Sequence, residues 1–94
     1  MTQAIIEARK IVQNENICGG APTLEGTRIR VSDIVVQHEY HNLSPEQITQ
    51  EFPQLSIADI YSALTFYHEH PKDIRNEIFT REKLFEEGKK ASLQ

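Results

Sequence analysis

Residues 44–70 read SPEQITQEFPQLSIADIYSALTFYHEH and form the most regular part of the chain. A capping box begins at Ser44 and another at Ser56, each with Gln or Asp three residues later, a pattern that closes the first turn of a helix. The proline between the two boxes ends the first helix, and apolar residues then recur at helical spacing. This stretch therefore predicts two helices, over 45–52 and 56–69, joined by a short connection.

A third helix is predicted before this pair and a fourth after it. Ser32 and Asp33 form a helix-start signal that predicts a helix over 33–41, and Asn42 tolerates the left-handed conformation that ends many helices. A proline and an aspartate then begin a C-terminal helix over 71–91, in which most positions are charged.

These elements predict a mainly α fold, with a trihelical helix-turn-helix core of homeodomain-like or winged-helix-like type and a C-terminal helix. A generic helical bundle fits the same spacing. A short N-terminal two-stranded β element is predicted from TRIRV at 27–31, whose alternation is typical of a half-buried strand, and from residues 2–13, which fit either a helix or a frayed helix followed by a strand. We expect a single domain over 1–94, with its core over 10–70.

The composition excludes several classes of protein. The chain has 94 residues, a net charge of −4 and one cysteine, and it has no apolar run near the roughly 18 residues of a membrane helix. It is too short for a multidomain enzyme, and a single cysteine cannot form an intrachain disulfide. His38 and His41 would lie on one helix face, but with His68 and His70 they could hold zinc only if the fold brought the ends of two helices together. We expect a cytoplasmic protein with no enzymatic activity, cofactor, metal or membrane association.

Positive charge is distributed unevenly along the chain. No Lys or Arg lies between residues 45 and 70, where a DNA-recognition helix needs them to contact phosphates and base edges. The strand predicted at 27–31 and the Gly-rich loop before it would form the wing of a winged-helix fold. The remaining candidates for DNA contact lie on this predicted wing or just before it: Arg9, Lys10, Arg28 and Arg30. The alternative is that the two wing arginines are solvated or paired with a nearby carboxylate.

Apolar side chains on the last two helices predict a protein contact. At most two of the three aromatics on the 56–69 helix can share one face, so one of them points outward. The C-terminal helix also carries more apolar residues than one packing face needs. The candidate partner-binding residues are Tyr61, Phe66, Ile78, Phe79, Leu84 and Phe85. Ordinary packing between the two helices is the alternative.

A family resemblance lies in two strings upstream of these helices, Ile17-Cys18-Gly19-Gly20-x-Pro22 and Gly26-Thr27-Arg28-Ile29-x-Val31-Ser32-Asp33-Ile34. With further matches over about residues 10–80, the chain resembles the family catalogued as domain of unknown function 433. The positions assigned a structural role in the motif are Gly19, Gly20, Pro22, Gly26, Thr27 and Asp33. The chain departs from the family pattern at His41-Asn42, where members commonly have Gly after a helix one residue shorter, and at Arg30, where many have Pro.

The resemblance implies a function that the residues alone do not. Members of that family resemble antitoxins of type II toxin-antitoxin pairs, are often encoded beside a PIN-like ribonuclease, and are assigned a helix-turn-helix fold. We therefore expect an antitoxin-like regulator that binds such a ribonuclease through its C-terminal helix and binds DNA as a homodimer. The alternative is a protein-interaction or scaffold module that binds no DNA.

Overall fold

A computed structural model describes the backbone of residues 7–92 and the side chains of residues 7–86. The described part is mainly helical, as predicted, with one two-stranded antiparallel sheet. Its elements are β1 (Ile11–Val12), β2 (Thr23–Leu24), α1 (Val31–Val35), α2 (Pro45–Glu51), α3 (Ile57–Glu69) and α4 (Pro71–Ser92). In the sheet, Ile11 pairs with Leu24 and Val12 with Thr23.

The prediction of a strand over residues 27–31 is wrong, because this segment holds only one isolated β-bridge. The second strand, β2, lies before it, and the chain reverses direction at Gly26, which has a φ of 79°. The Thr27 hydroxyl donates to the Leu24 carbonyl at 2.8 Å and accepts the Ile29 N–H at 3.0 Å. The Thr27 side chain thus makes the hydrogen bonds that the backbone of a paired strand would make. Residues 27–31 therefore lead out of the turn and do not form a strand.

The first helix begins two residues earlier than predicted, and Ser32 is not its N-cap. The cap is Arg30, whose backbone N–H donates to the Asp33 carboxylate at 2.9 Å. Ser32 is instead buried, and its hydroxyl donates to Glu77 on α4. After α1 the helix continues as a π turn over Val36–Tyr40.

The π turn ends this helix in the predicted region. The His41 N–H donates to the Val36 carbonyl at 3.1 Å, five residues back, and Asn42 then adopts the expected left-handed conformation with a φ of 59°. A π turn holds one more residue than an α turn. It therefore accommodates a helix that is one residue longer than the motif suggests.

Both predicted capping boxes are confirmed. The Ser44 hydroxyl accepts the Gln47 N–H at 3.2 Å, and the Gln47 side chain accepts the Ser44 N–H at 2.8 Å. The box between Ser56 and Asp59 has the same two bonds, at 3.2 and 2.9 Å. Each box satisfies two amides that the first turn leaves free, and this fixes the starts of α2 and α3.

The core lies where α1, α3 and the first half of α4 meet. It is built almost wholly from aliphatic residues and one tyrosine: Leu24, Ile29, Val31, Ile34, Val35, Ile48, Leu55, Ile60, Ala63, Leu64, Tyr67, Ile74 and Ile78. The structure extends over 65 × 29 × 23 Å. Since the 22 residues of α4 alone span about 33 Å, this helix accounts for much of the long dimension.

Candidate functional site on the C-terminal helix

The first half of α4 is fixed to the rest of the fold by apolar and polar contacts. Ile74 and Ile78 are buried in the core. Next to them, Glu77 accepts the hydrogen bond from Ser32, and an Nη1 of Arg81 lies 3.5 Å from the Asp33 carboxylate. These contacts span less than half of the helix and determine its direction.

Among and beyond these contacts, α4 exposes three large apolar side chains. Phe79 is 65% exposed, Leu84 62% and Phe85 72%. Successive helical residues are about 100° apart, so these three side chains point in directions about 100–140° from one another. The middle of α4, from Phe79 to Phe85, therefore presents an apolar side chain on each of three sides.

The structure divides the predicted partner-binding residues into exposed and packed groups. Phe79, Leu84, Phe85 and Tyr61 are exposed, Tyr61 being the aromatic that points outward from α3. Ile78 was expected to contact a partner, but it is 2% exposed and packs in the core, because it lies on the α4 face that meets α1 and α3. Phe66 is half-buried, packs against the core, and its ring centroid lies 4.6 Å from that of His70.

A groove of about 820 Å³ runs between α4 and the loop before β2. The loop contributes three consecutive left-handed residues, Cys18, Gly19 and Gly20, with φ values of 52°, 65° and 89°. Glycine adopts this conformation without steric strain, which explains the paired glycines of the motif. The groove is lined by Gln13, Cys18, Gly19, Gly20, Ala21, Pro22, Arg30, Phe66, His70, Asp73, Ile74, Glu77, Thr80, Arg81 and Leu84. We call it the turn–α4 groove.

The other residues of the predicted motif shape this loop and the following turn. The Pro22 carbonyl accepts the Val31 N–H at 2.9 Å, which ties the loop to the start of α1. A Cβ at Gly26 would lie 3.1 Å from Nη1 of Arg9, so a side chain has little room there. Thr27 and Asp33 provide the turn and capping bonds described above.

Two of the four predicted DNA-contact residues are tied into the fold. The Arg9 guanidinium lies 3.4 Å from Asp59 and donates to the Glu25 carbonyl at 2.9 Å. Nε of Arg30 donates to Asp33 at 3.2 Å. Burial alone lowers the pKa of Arg30, but the hydrogen bond and the charge of Asp33 outweigh it and raise the pKa above its ordinary value.

The other two predicted DNA-contact residues, Lys10 and Arg28, are exposed. Within residues 7–86, neither side chain forms a hydrogen bond or ion pair. On α3, the exposed residues include Ile57, Tyr61 and Glu69, with no Lys or Arg among them. The helix that was predicted to read DNA thus carries no positive charge of its own for a phosphate contact.

A buried clasp joins the N-terminal segment to α3, and no local sequence pattern predicts it. Asp59 is 3% exposed and accepts the backbone N–H of Arg9 at 2.7 Å and that of Ser56 at 2.9 Å. Burial alone raises the pKa of Asp59, but these hydrogen bonds and the charge of Arg9 lower it below its ordinary value of 3.8. The spacing of Asp59 from Ser56 predicted a capping box, whereas no pattern in the neighbouring residues predicts the contact with Arg9.

A second network joins the π turn, α3 and α4. The buried Tyr67 hydroxyl donates to the Glu39 carboxylate at 2.6 Å and accepts from Nε of Arg75 at 2.9 Å. Burial and the carboxylate of Glu39 raise the pKa of Tyr67. Both bonds are made within the fold, and we interpret the network as a structural contact that joins these three elements.

Two further properties concern only the described part of the chain. No helix there has both the length and the apolar character needed to cross a membrane. Nor does that part bring three or more His, Cys, Asp or Glu side chains together as metal ligands.

Comparison with known proteins places the chain in a family. The sequence profile described as "Protein of unknown function (DUF433)" matches residues 11–67. A crystal structure of a DUF433 member protein from Anabaena variabilis ATCC 29413 is similar, with 26% sequence identity and a TM-score of 0.65, over 72% of this chain and 66% of that one. No curated protein matches significantly. The family profile covers β1 to α3, more than half of the chain, and the chain therefore belongs to the DUF433 family.

Proposed function

We propose that this chain is an antitoxin-like regulator that binds a PIN-like ribonuclease through exposed apolar residues of α4. The observation that carries the proposal is the exposure of Phe79 and Phe85, at 65% and 72%, at positions of α4 that do not pack against the core. The ribonuclease is suggested by the resemblance of the family to antitoxins. A helix with exposed apolar side chains suits a partner that receives a helix in a groove.

The exposed side chains are the right kind for such a contact. Large aromatic residues contribute a disproportionate share of binding energy at protein interfaces. Glu82, Lys83 and Glu86 lie between and beside the apolar residues and are exposed. They form a polar rim that keeps the free protein soluble, and they stay at the edge of the contact when the apolar residues are buried.

The direct test is capture of the protein encoded beside this chain, after co-expression with a tagged copy of it. We expect a stable complex and loss of ribonuclease activity in it. The double variant Phe79→Glu/Phe85→Glu should weaken binding by about 100-fold or more, because two charges replace apolar anchors. Thr65→Glu, at an exposed site on α3, is the matched control and should bind like the unchanged chain. Absence of a complex, or equal binding by the double variant, contradicts the proposal.

The charges on the fold favour the version of this proposal in which the protein binds no DNA. The exposed residues of α2 and α3 include Glu46, Glu51 and Glu69 and no cation, and such a surface repels phosphates. If DNA is bound, Lys10 and Arg28 are the exposed members of the predicted DNA-contact set that would contact it. A gel shift of the upstream DNA over a salt series decides the matter: a steep loss of binding with salt that Arg28→Ala reduces indicates phosphate contacts, and no shift at low salt supports the form without DNA.

A further inference from the structure

We infer that the ribonuclease binds Phe85 and the two glutamates beside it with the cationic surface that otherwise binds RNA, so that this chain and RNA exclude each other. The inference rests on the proposed function and deepens it, because it names the surface of the partner that is covered. It starts from the position of Phe85 on α4 and from the charges around that side chain.

Phe85 lies on the same side of α4 as the two buried isoleucines. At about 100° per residue, it is within about 20° of both Ile74 and Ile78 around the helix axis. Along α4, these three residues are 0%, 2% and 72% exposed. Phe85 does not line the turn–α4 groove. The core therefore covers this side of the helix at the first two positions and leaves it open at the third.

The last polar contacts of α4 with the core lie one turn before Phe85. Glu77 accepts the hydrogen bond from Ser32, and Nη1 of Arg81 lies 3.5 Å from Asp33. Within residues 7–86, no hydrogen bond or ion pair joins the side chains of 82–86 to the rest of the fold. From this point α4 extends past the core, so a partner has access to the side that the core covers elsewhere.

The exposed charges beside Phe85 are acidic. Phe85 lines one shallow cleft together with Arg81, Glu82 and Glu86. Two carboxylates of its own chain balance the charge of Arg81. The two glutamates are exposed and form no ion pair within the described side chains, and Lys83 lies about 160° away from Phe85 around the axis. The cleft thus combines an aromatic ring with two uncompensated negative charges.

This combination fits the surface that a ribonuclease needs for its substrate. An enzyme that binds RNA neutralises phosphates with Lys or Arg. Proteins that bind single-stranded RNA add aromatic or apolar pockets on which the bases stack. The Phe85 ring suits such a pocket, and Glu82 and Glu86 suit the cations beside it. The two ligands therefore compete for one surface.

The first test compares single variants in binding to the ribonuclease encoded beside this chain, by isothermal titration calorimetry. Phe85→Glu should raise the dissociation constant by about 100-fold or more. Phe79→Glu lies about 120° away around the helix and has a similar exposure, so it should raise the constant by about tenfold at most. Circular dichroism on each variant verifies that the helices are intact.

A second pair of variants tests the charges. Glu82→Gln with Glu86→Gln should weaken binding by about tenfold and reduce its dependence on salt, because two attractions to cations are lost. Lys83→Gln is the matched control, since it removes a charge of the opposite sign from the far side of the helix, and it should not weaken binding.

The competition itself is measured as inhibition of cleavage of a single-stranded RNA. The unchanged chain should raise the apparent KM of the ribonuclease for RNA and leave kcat unchanged. A lower kcat at constant KM, equal effects of Phe79→Glu and Phe85→Glu, or undiminished binding by the glutamine variant overturns the inference and leaves the proposed function standing. Absence of any complex with the unchanged chain overturns both.

Discussion

The carboxylate of Asp59 accepts the backbone N–H of Arg9 at 2.7 Å and lies 3.4 Å from Nε of the same residue, although the two are fifty positions apart in the chain. The same carboxylate caps α3 through Ser56. One side chain therefore fixes the start of α3 and holds the segment that leads into β1 against it.

Replacing this carboxylate should destabilise the whole fold. We expect Asp59→Ala to lower the free energy of unfolding by about 3 kcal/mol, because the cap is lost and a partly buried arginine loses its partner. Urea denaturation followed by circular dichroism measures the change. Asp73→Ala, which removes an exposed carboxylate from the first turn of α4, should lower the free energy by less than about 1 kcal/mol. Equal effects of the two variants would show that the clasp contributes nothing.

The clasp should also make stability depend on pH in the acid range. The pKa of Asp59 is below 3.8 in the folded chain, so the unfolded chain binds more protons there and stability rises with pH. The contribution of the charged carboxylate is complete above the ordinary value and is lost as pH falls below 3.8 towards the folded value. In urea titrations, the stability difference between the unchanged chain and Asp59→Asn should be constant near neutral pH and should shrink through this window. A difference that does not change with pH contradicts the assignment.

The Tyr67 network should contribute a smaller amount. Tyr67→Phe removes a hydroxyl that donates to Glu39 and accepts from Arg75, and both of these partners are exposed enough to be hydrated in its place. We expect a loss of about 1 kcal/mol in the free energy of unfolding. Tyr61→Phe is the matched control, since Tyr61 is 52% exposed, and should leave stability within about 0.5 kcal/mol. Indistinguishable unfolding curves for the two variants would argue against the network.

A comparison of two glycines of the motif distinguishes the cost of backbone strain from the cost of steric crowding around an added Cβ. Gly19 and Gly26 have φ values of 65° and 79°, so an alanine at either position is strained by about 1–2 kcal/mol. A Cβ at Gly19 has no atom within 4 Å, whereas one at Gly26 lies 3.1 Å from Arg9. Gly26→Ala should therefore be the more destabilising change in thermal unfolding. Adding Arg9→Ala to both should reduce the difference between the two glycine variants. The opposite order would show that the arginine gives way freely.

The starts of α2 and α3 were predictable because their signals are local. Ser44 and Ser56 each bond to a capping partner three residues later. The capping contact therefore lies within one short segment and does not depend on the rest of the fold. The strand predicted over 27–31 failed although its alternation is real, since Ile29 and Val31 are both buried. The alternation of apolar and polar residues predicts which side chains are buried. It does not predict whether a neighbouring strand pairs with the segment along its length.

The residue types of the candidate site could be predicted from the sequence, but the exposure and the partners of each residue could not. Ile78 and Phe79 are adjacent and both apolar, yet one is 2% exposed and the other 65%. Arg28 and Arg30 are two residues apart, yet in the described part of the chain only Arg30 has a carboxylate partner. These differences depend on where neighbouring elements lie, which is information that the local pattern does not contain.

The amino-acid sequence was sufficient to establish the helical class, the ends of α2 and α3, the left-handed conformation of Asn42 and the absence of cations from residues 45–70, because each is a property of short segments or of composition. The contacts of Arg9 with Asp59 and of Ser32 with Glu77, and the direction in which α4 leaves the core, arise only when distant segments pack together. Packing selects one among many long-range arrangements that the same local preferences allow, and that selection is what exposes Phe79, Leu84 and Phe85.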